Sequence, residues 1–315
     1  MTFPRESGAY QENTVIFQDI ISKEAIYKGF SRDQKYCVQT ASKDKYFLRI
    51  APLDRMERQK ALTALLGRLS ALDIPMCRPV ESGECEDGFY TLFTWIDGTE
   101  AEAAVPSLSK PTQYALGLQA GKILKRIHTI PAPADQEDWH IRFGRKTDMK
   151  IQKYLDCGLR FAGDSEVIAY LTRNRSVLQD RPQTFQHGDY HIGNMMIENE
   201  AILLLDFDRF DFGDPWEEFN RIVWCAQSSF EFAAGMVDGY FDFSPPAKFW
   251  ACLAFYIGSN LLSSVYWAMD FGQSELDVMM RQAQDVLSWY SHFRSIVPDW
   301  YVKAEKKLPN SGMGK

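Results

Sequence analysis

The spacing of hydrophobic and polar residues divides the chain into two parts of different character. In the first hundred residues, short runs of aromatic and β-branched side chains predict strands at 25–27, 36–40, 46–50 and 89–96. Residues 42–44 (SKD) predict a turn that joins the second and third of these strands into a hairpin. Leucines at helical spacing within 54–72 predict one amphipathic helix in this part of the chain.

Helical periodicity dominates beyond residue 100. It predicts helices at 114–128, 147–154 and 166–179 and through most of the chain from 215 onward. Two short β-rich segments, 184–187 and 201–207, interrupt them and are joined by a loop. The pattern therefore predicts an α+β protein with a small antiparallel-sheet N-lobe, residues 1–97, and a larger, mainly helical C-lobe, residues 98–315.

The candidate chemistry lies in this strand–loop–strand segment. The loop contains Asp189 and, five residues later, Asn194, while the second strand ends in Asp206. A hairpin would place all three residues at one end of the same small sheet. Phosphoryl transfer needs one carboxylate to accept the proton of the attacking hydroxyl, and oxygen ligands to hold Mg²⁺ beside the phosphates.

The spacing within the loop is that of the protein kinase template H-R-D-x-x-x-x-N, which is followed by D-F-G. On this template Asp189 fits the base, Asn194 and Asp206 fit the metal ligands, and His187 fits a structural brace behind the loop.

The motifs HGDYHIGN, LLDFD and FGDP together resemble the aminoglycoside phosphotransferase family, small-molecule kinases that share the protein kinase fold. KYFLRI as the third strand, LFTWIDG as the hinge and KILKRIH as the next helix agree in the same order, so the resemblance covers residues 20–225. Choline kinases and macrolide phosphotransferases have similar loops. The resemblance implies a protein-kinase-like two-lobe fold, ATP or GTP as co-substrate, and Mg²⁺.

The family also implies roles for individual residues of the C-lobe. Asp189 would be the catalytic base, and His191, two residues later, would approach the phosphates or the substrate. Asn194 and Asp206 would bind Mg²⁺, with Asp208 as an additional ligand.

In the N-lobe the resemblance implies a nucleotide site. The residues that would hold or wall the nucleotide base are Phe93, Thr94, Trp95 and Ile96. Arg49 stands where kinases carry the lysine that holds the α- and β-phosphates, and a guanidinium can grip phosphate with two donors. Glu57 is the expected helix partner of Arg49. The nucleotide loop, residues 27–31, contains one glycine, and Ser31 within it is expected to donate to a phosphate.

Composition indicates a globular protein with an acidic balance. Hydrophobic residues make up 45% and charged residues 24%, and the formal net charge is −7, which disfavours nucleic-acid binding. Residues 212–300 contain eleven acidic and four basic residues, which suits either a solvated acidic face or a small cationic acceptor. The candidate carboxylates for an amine-bearing acceptor are Glu231, Asp238, Asp242 and Asp270.

Compartment and assembly are less strongly indicated. The six cysteines are scattered, without C-x-x-C or zinc-ligand spacing, which is typical of reduced thiols in a cytoplasmic protein. The N-terminus lacks a signal-peptide pattern. The uncharged stretch 249–269 is diluted by glycine, asparagine and serine, so we expect a buried core helix and no membrane span. We expect a monomer or a homodimer.

Several alternatives stay open from the sequence. The acceptor is expected to be amine-bearing or sugar-like, with an aminoglycoside first and a choline or ethanolamine, a macrolide or another metabolite as alternatives. His187, Asp189 and His191 also spell H-x-D-x-H, which would suit part of a metallohydrolase site. A catalytically silent kinase-like binding module is the remaining alternative.

Overall fold

A computed structural model describes residues 16–27 and 32–305, which divide into two compact units. One unit contains the described residues up to Asp73 together with Cys77–Asp97. The other contains Ile74–Met76 and the chain from Gly98 onward. Ser31 and most of the predicted nucleotide loop lie outside the described residues.

The first unit is built on a five-stranded antiparallel sheet with the strand order β1-β2-β3-β5-β4. Its strands are β1 (Ile20–Ala25), β2 (Gln34–Thr40), β3 (Lys45–Ala51), β4 (Pro79–Cys85) and β5 (Gly88–Thr94). Alternate side chains of the central strands form the core: Val38, Leu48, Ile50, Tyr90 and Leu92 are buried together. The helix α1 (Met56–Ala71) lies between β3 and β4 in the chain and buries Leu62, Leu66 and Leu69.

The strand β4 was not predicted from the sequence. Its residues, PVESGEC, are poor strand formers, and every second side chain is exposed. It lies at the edge of the sheet and pairs only with β5 among the described strands, which is a position where proline and glycine are tolerated. Periodicity in hydrophobic residues therefore gave no signal here.

The second unit is mainly helical and holds two small sheets. Its helices are α2 (Ala101–Ala104), α3 (Lys110–Ile127), α4 (Trp139–Asp156), α5 (Asp164–Arg173), α6 (Ile222–Ser228), α7 (Phe230–Phe241), α8 (Ala247–Ala268), α9 (Gln273–Trp289) and α10 (Asp299–Glu305). Its strands are β6 (Thr99–Glu100), β7 (Thr184–Gln186), β8 (Met195–Glu198), β9 (Ala201–Leu204) and β10 (Asp211–Gly213). The strands form a three-stranded sheet, β6-β8-β9, and a two-stranded ribbon, β7-β10. The antiparallel sheet and the helical second unit confirm the predicted α+β, protein-kinase-like fold class.

The helices α3 and α7 pack unusually closely because glycines face each other across their contact. A Cβ atom at Gly117 or Gly121 would come 2.1 Å from a backbone oxygen of α7. A Cβ atom at Gly235 or Gly239 would in the same way come 2.3 Å from a backbone oxygen of α3. Helix α3 is therefore held against α7 at backbone distance, and any larger side chain at these positions would separate the two helices.

Helix α8 contains the long uncharged stretch of the sequence. By length and composition the segment Ala247–Phe271 would suffice to cross a membrane, but 72% of its apolar window is buried inside the protein. It packs against α4, α5 and α9 within the helical unit. Its apolar character is therefore explained by the core that it fills, as expected from the sequence.

Candidate active site

The loop between β7 and β8 is braced from behind by His187. The imidazole is fully buried, its Nδ1 accepts a hydrogen bond from the backbone N–H of Asp189 at 3.3 Å, and its Nε2 lies 2.8 Å from the carbonyl oxygen of Leu205. Because a backbone N–H can only donate, the ring proton lies on Nε2 and is donated to Leu205. One buried side chain thus fixes Asp189 relative to the residue that precedes Asp206.

Asn194 is held at the same place by the small sheet. Its carbonyl accepts from the backbone N–H of Leu205 at 3.0 Å, which continues the β8–β9 ladder toward Asp206. Its side-chain Nδ2 donates to the carbonyl of Asp189 at 2.9 Å and lies 3.3 Å from His191 Nε2. These contacts use Nδ2 and leave the amide oxygen for another partner. The structure therefore brings Asp189, Asn194 and Asp206 together within the helical unit.

Backbone conformation supports this arrangement at two positions. Gly188 has φ +84°, and a Cβ atom there would lie 1.9 Å from the carbonyl oxygen of Arg209, so only glycine fits. Asp206 adopts φ 53°, a left-handed conformation that is uncommon outside glycine and tends to occur at functional sites. Its Oδ1 is 3.4 Å from the backbone N–H of Asp208. This turn, closed by the contact between the Asp208 N–H and Asp206 Oδ1, positions both aspartates just after the end of β9.

The Asp189 carboxylate is partly exposed and flanked by cations. Its Oδ1 lies 3.3 Å from Arg221 Nε and 3.8 Å from His191 Nε2, and its Oδ2 lies 3.9 Å from Arg209 Nε. Burial alone would raise the pKa of Asp189, but His191, Arg221 and Arg209 outweigh it and hold that pKa well below its usual range. Asp189 is therefore an anion at any physiological pH and can accept a hydrogen bond from a hydroxyl group.

His191 presents a ring N–H to Asp189. Its Nδ1 accepts from the backbone N–H of Gly193 at 3.1 Å, so the ring carries a proton on Nε2, which faces Asp189. Neither Arg209 nor Arg221 was named from the sequence. Arg221 ends the 3₁₀ helix Glu217–Arg221, 32 positions after Asp189, and no motif spacing connects these two residues.

Beneath the loop, Glu218 is buried and its Oε1 accepts from the backbone N–H of Gly188 at 2.8 Å. Burial raises the pKa of Glu218 to about 7, and burial lowers the pKa of His128 to about 3. Their facing atoms, Glu218 Oε2 and His128 Nε2, are 3.8 Å apart and have no other hydrogen-bond partner within the described chain. Both residues thus support the loop from the core.

In the sheet unit the predicted Arg49–Glu57 pair is corrected. The buried Arg49 guanidinium contacts the carboxylate of Asp33, which also accepts from Arg55 at 2.7 Å. Glu57 lies in the first turn of α1, its side chain is 84% exposed, and its ion pair is with Lys60 at 3.4 Å. A buried guanidinium needs a nearby carboxylate, and the structure pairs Arg49 with Asp33 instead of Glu57.

The predicted hinge follows the last strand of the sheet. Phe93 is buried and Thr94 ends β5, while Trp95 and Ile96 are half-buried and lie beyond the sheet ladder. The indole Nε1 of Trp95 is buried without a hydrogen-bond partner among residues 16–27 and 32–305. A buried donor of this kind is normally hydrogen-bonded, so the indole N–H is left without its usual partner.

The donor set in the helical unit fits a hard cation. Asn194, Asp206 and Asp208 offer only oxygen ligands, and no group of three or more His, Cys, Asp or Glu residues suited to a metal lies in the described chain. Both nitrogens of the buried His187 are bonded within the protein, so H-x-D-x-H does not form a metallohydrolase site. Mg²⁺ completed by phosphate oxygens and water suits the residues present.

The fold and the loop define a small-molecule kinase. Residues 24–254 match the model of the Phosphotransferase enzyme family, and the chain belongs to that family. The suspected relationship to aminoglycoside phosphotransferases, and the prediction of an enzyme that is a nucleotide-dependent small-molecule kinase, are thereby confirmed. A search of curated proteins found no match.

Solved structures of aminoglycoside phosphotransferases share the fold. APH(4)-Ia in a ternary complex with ADP and hygromycin B has a TM-score of 0.64 and 14% identity, over 86% of this chain and 95% of that chain. APH(2'')-IIa with gentamicin has a TM-score of 0.58 and 16% identity, over 84% and 91%. A GDP complex of a mutant aminoglycoside 2'-phosphotransferase-IIIa has a TM-score of 0.65 and 13% identity, over 90% and 97%.

Proposed function

We propose that this protein transfers the γ-phosphoryl group of ATP or GTP to a hydroxyl group of a small acceptor, with Asp189 as the catalytic base. The observation that carries the proposal is the bridge through His187, which ties the backbone of Asp189 to the carbonyl before Asp206. With Asn194 bonded to both ends of this bridge, the base and the two metal ligands form one rigid unit.

In the reaction, the Asp189 carboxylate accepts the proton of the acceptor hydroxyl as that oxygen forms a bond to the γ-phosphorus. The bond from the γ-phosphorus to the β,γ-bridging oxygen breaks, and the nucleoside diphosphate leaves. The protein supplies positioning and charge neutralisation, which account for most of the catalysis in this type of transfer. Arg221 and His191 keep Asp189 ionised and fix the direction of its oxygens.

Asn194 and Asp206 would hold Mg²⁺, with Asp208 as an additional ligand. When bound, the ion neutralises the negative charge of the phosphate oxygens. In the sheet unit, Arg49 would bind the nucleotide's phosphates, oriented by Asp33 in place of Glu57. The residues proposed to bind the nucleotide base are Phe93, Thr94, Trp95 and Ile96.

The proposal is tested by thermal stabilisation with ATP and GTP, with and without Mg²⁺. The wild type should be stabilised by nucleotide in a Mg²⁺-dependent manner. Asp206→Asn should lose most of the Mg²⁺ dependence, because an amide replaces a charged ligand of the ion. We expect at least a tenfold weaker Mg²⁺-dependent nucleotide affinity.

Glu200→Gln is the matched control, since it removes an exposed charge from the turn of the same β8–β9 hairpin. It should behave as the wild type. Equal nucleotide affinity in Asp206→Asn and Glu200→Gln, with Mg²⁺ present, would contradict the ligand role.

The compared structures are complexes with hygromycin B and with gentamicin. For this chain, nucleoside diphosphate release should be screened with aminoglycosides, macrolides, choline, ethanolamine and other amino alcohols. Acids with a hydroxyl group belong in the same screen, because the positive charges of Arg209 and Arg221 around Asp189 favour them.

A further inference from the structure

The acidic residues of the helical unit do not form a site for an amine. Glu231 is buried and accepts from Lys110 Nζ at 2.6 Å, and Asp242 accepts from Lys125 Nζ at 2.5 Å. Asp238 is buried and accepts from the hydroxyl groups of Tyr114 and Tyr301 at 2.5 and 2.7 Å. Of the four carboxylates considered from the sequence, only Asp270 is exposed without such a partner. The acidic composition of residues 212–300 is therefore used largely in internal contacts.

The charges around Asp189 have the opposite sign. Arg221 and Arg209 flank its two carboxylate oxygens. Farther back, Lys150 on helix α4 lies within electrostatic range of Arg221 and of Lys146 on the same helix. Positive side chains therefore lie both beside the base and on α4.

Lys150 is the unusual member of this row. Only 8% of the residue is exposed, yet its side chain makes no hydrogen bond or ion pair with any residue in the described part of the chain. Burying an unpaired ammonium group is costly, and proteins normally pair such a group or bind an anion beside it. Burial, followed by repulsion from Lys146, lowers the pKa of Lys150 to about 7, although Glu217 acts in the other direction.

A cavity of about 330 Å³ lies along the same helix. Trp139, Phe143 and Met149 provide its apolar wall, and Asp211 is its acidic residue. The ammonium groups of Lys146 and Lys150 lie 5.4 and 5.8 Å from the centre of the Phe143 ring, so both lysines are near this wall. The volume is in the range that holds a small ligand.

The other cations of the cavity already have partners. Arg142 donates to the carbonyl of Phe212, and Arg145 makes two hydrogen bonds to Glu137, at 2.8 and 2.7 Å. Lys146 is exposed, and its ammonium has no hydrogen bond or ion pair with the residues that the structure describes. Of the cations that line the cavity, Lys146 is therefore the one left to bind a ligand, and the Lys150 ammonium lies next to the Phe143 wall, 5.8 Å from the ring centre.

Resting on the proposed function, we infer that the phosphoryl acceptor is a small hydroxylated anion, whose oxyanion is held by Lys146 and Lys150 while its hydroxyl group faces Asp189 beside Arg221. A carboxylate and a phosphate ester share this chemistry. A polycationic acceptor would place its amines against the same lysines and arginines, which repel like charges and would weaken its binding. The inference therefore assigns this enzyme to the acid-phosphorylating rather than the amine-phosphorylating kinases.

The test uses four probes with a common sugar skeleton and different charge: D-gluconate, D-glucose 6-phosphate, D-glucose and D-glucosamine. Each is titrated calorimetrically into the full-length protein with Mg²⁺ and a non-hydrolysable ATP analogue. At least one of the two anions should bind at least tenfold more tightly than glucosamine, and which anion binds better distinguishes a carboxylate site from a phosphate site.

Lys150→Met and Lys146→Gln should each reduce this preference to less than threefold. Lys146 is exposed, so Lys146→Gln keeps the test valid if Lys150→Met folds poorly. Lys153→Met is the matched control, because it removes the same charge from an exposed position on α4, and it should retain the preference.

The inference is overturned if glucosamine binds as well as or better than both anions, if none of the charged probes binds measurably, or if Lys150→Met and Lys146→Gln leave the preference unchanged. Nucleotide binding is measured first in the same preparation. If the Mg²⁺–nucleotide complex fails to bind, the proposed function has failed, and the charge preference is then read from the nucleotide-free protein.

Discussion

Two aspartates at opposite ends of one ribbon show how the same side chain serves structure in one place and chemistry in another. The strands β7 and β10 pair antiparallel, and Asp189 follows the end of β7 while Asp214 follows the end of β10. Asp214 is fully buried and accepts two hydrogen bonds from Arg181, at 2.6 and 2.8 Å. The hydroxyl of Tyr256 and the backbone N–H of Trp216 donate to it as well.

Asp189 is surrounded by positive charge but is not saturated with donors. Its contacts to arginine and histidine nitrogens are 3.3 to 3.9 Å long, and 21% of its side chain is exposed. The carboxylate is therefore kept ionised while its lone pairs stay available to a substrate hydroxyl. A functional carboxylate therefore differs from a structural one in its unfilled acceptor capacity more than in the amount of charge nearby.

The largest expected effect is on catalysis, at the end of the ribbon where Asp189 lies. Asp189→Asn should reduce phosphoryl transfer at least about 100-fold, because a general base contributes about 10²- to 10⁴-fold and the amide cannot accept the proton. The melting temperature and the Mg²⁺-dependent nucleotide affinity should stay close to wild type. Nucleoside diphosphate release with the best acceptor of the screen measures the rate of transfer. Calorimetry measures the melting temperature and the nucleotide affinity. Transfer within tenfold of the wild type would remove Asp189 as the base.

At the other end of the ribbon, where Asp214 is buried, a substitution should change stability instead of catalysis. Asp214→Asn leaves the buried Arg181 guanidinium without its charge partner and should lower the free energy of unfolding by about 3–5 kcal/mol. Asp211→Asn at the start of β10 is the control. Its side chain is 57% exposed, and it should cost less than about 1 kcal/mol. Urea denaturation of both variants measures the difference, and equal losses would mean that Asp214 is no more structural than a surface aspartate.

A smaller effect is expected on the pH dependence of phosphoryl transfer. Asp189 acts as a carboxylate, so transfer is lost as the pH falls through its pKa, which neighbouring cations hold low. Arg221→Gln removes one of these cations, raises the pKa of Asp189, and should move the acidic limb of the pH–rate profile upward by about one unit. Profiles of kcat/KM for wild type and variant test this. If the two limbs superimpose, Arg221 does not act on the base.

Which contacts of the site could be predicted from the sequence depended on how far apart the residues are along the chain. Asp189, Asn194 and Asp206 fall within one strand–loop–strand segment, so local hairpin geometry was enough to predict that they meet. Arg221 reaches Asp189 from a 3₁₀ helix 32 positions later, and Asp33 reaches Arg49 from before β2. Neither contact has a spacing rule, and both depend on how separate elements pack.

The partners of charged residues were unpredictable for the same reason. The count of acidic residues in 212–300 suited either a solvated acidic face or a small cationic acceptor, and a count does not reveal which carboxylates already have partners. Glu231 and Lys110 are 121 positions apart, and only the packing of α3 against α7 brings them together. Lys150 is buried in the structure, and no pattern in the sequence marks it. Burial of single polar groups was therefore the property that the sequence did not reveal.

The central claim is that the oxygens of Asn194 and Asp206 gather around one divalent ion beside the base. The direct measurement is anomalous diffraction from crystals grown with a non-hydrolysable ATP analogue and Mn²⁺, which accepts the same oxygen ligands as Mg²⁺. The account predicts one strong manganese peak within coordination distance, roughly 2.2 Å, of the Asn194 amide oxygen and an Asp206 carboxylate oxygen. A nucleotide-bound structure whose manganese lies away from both residues would contradict it.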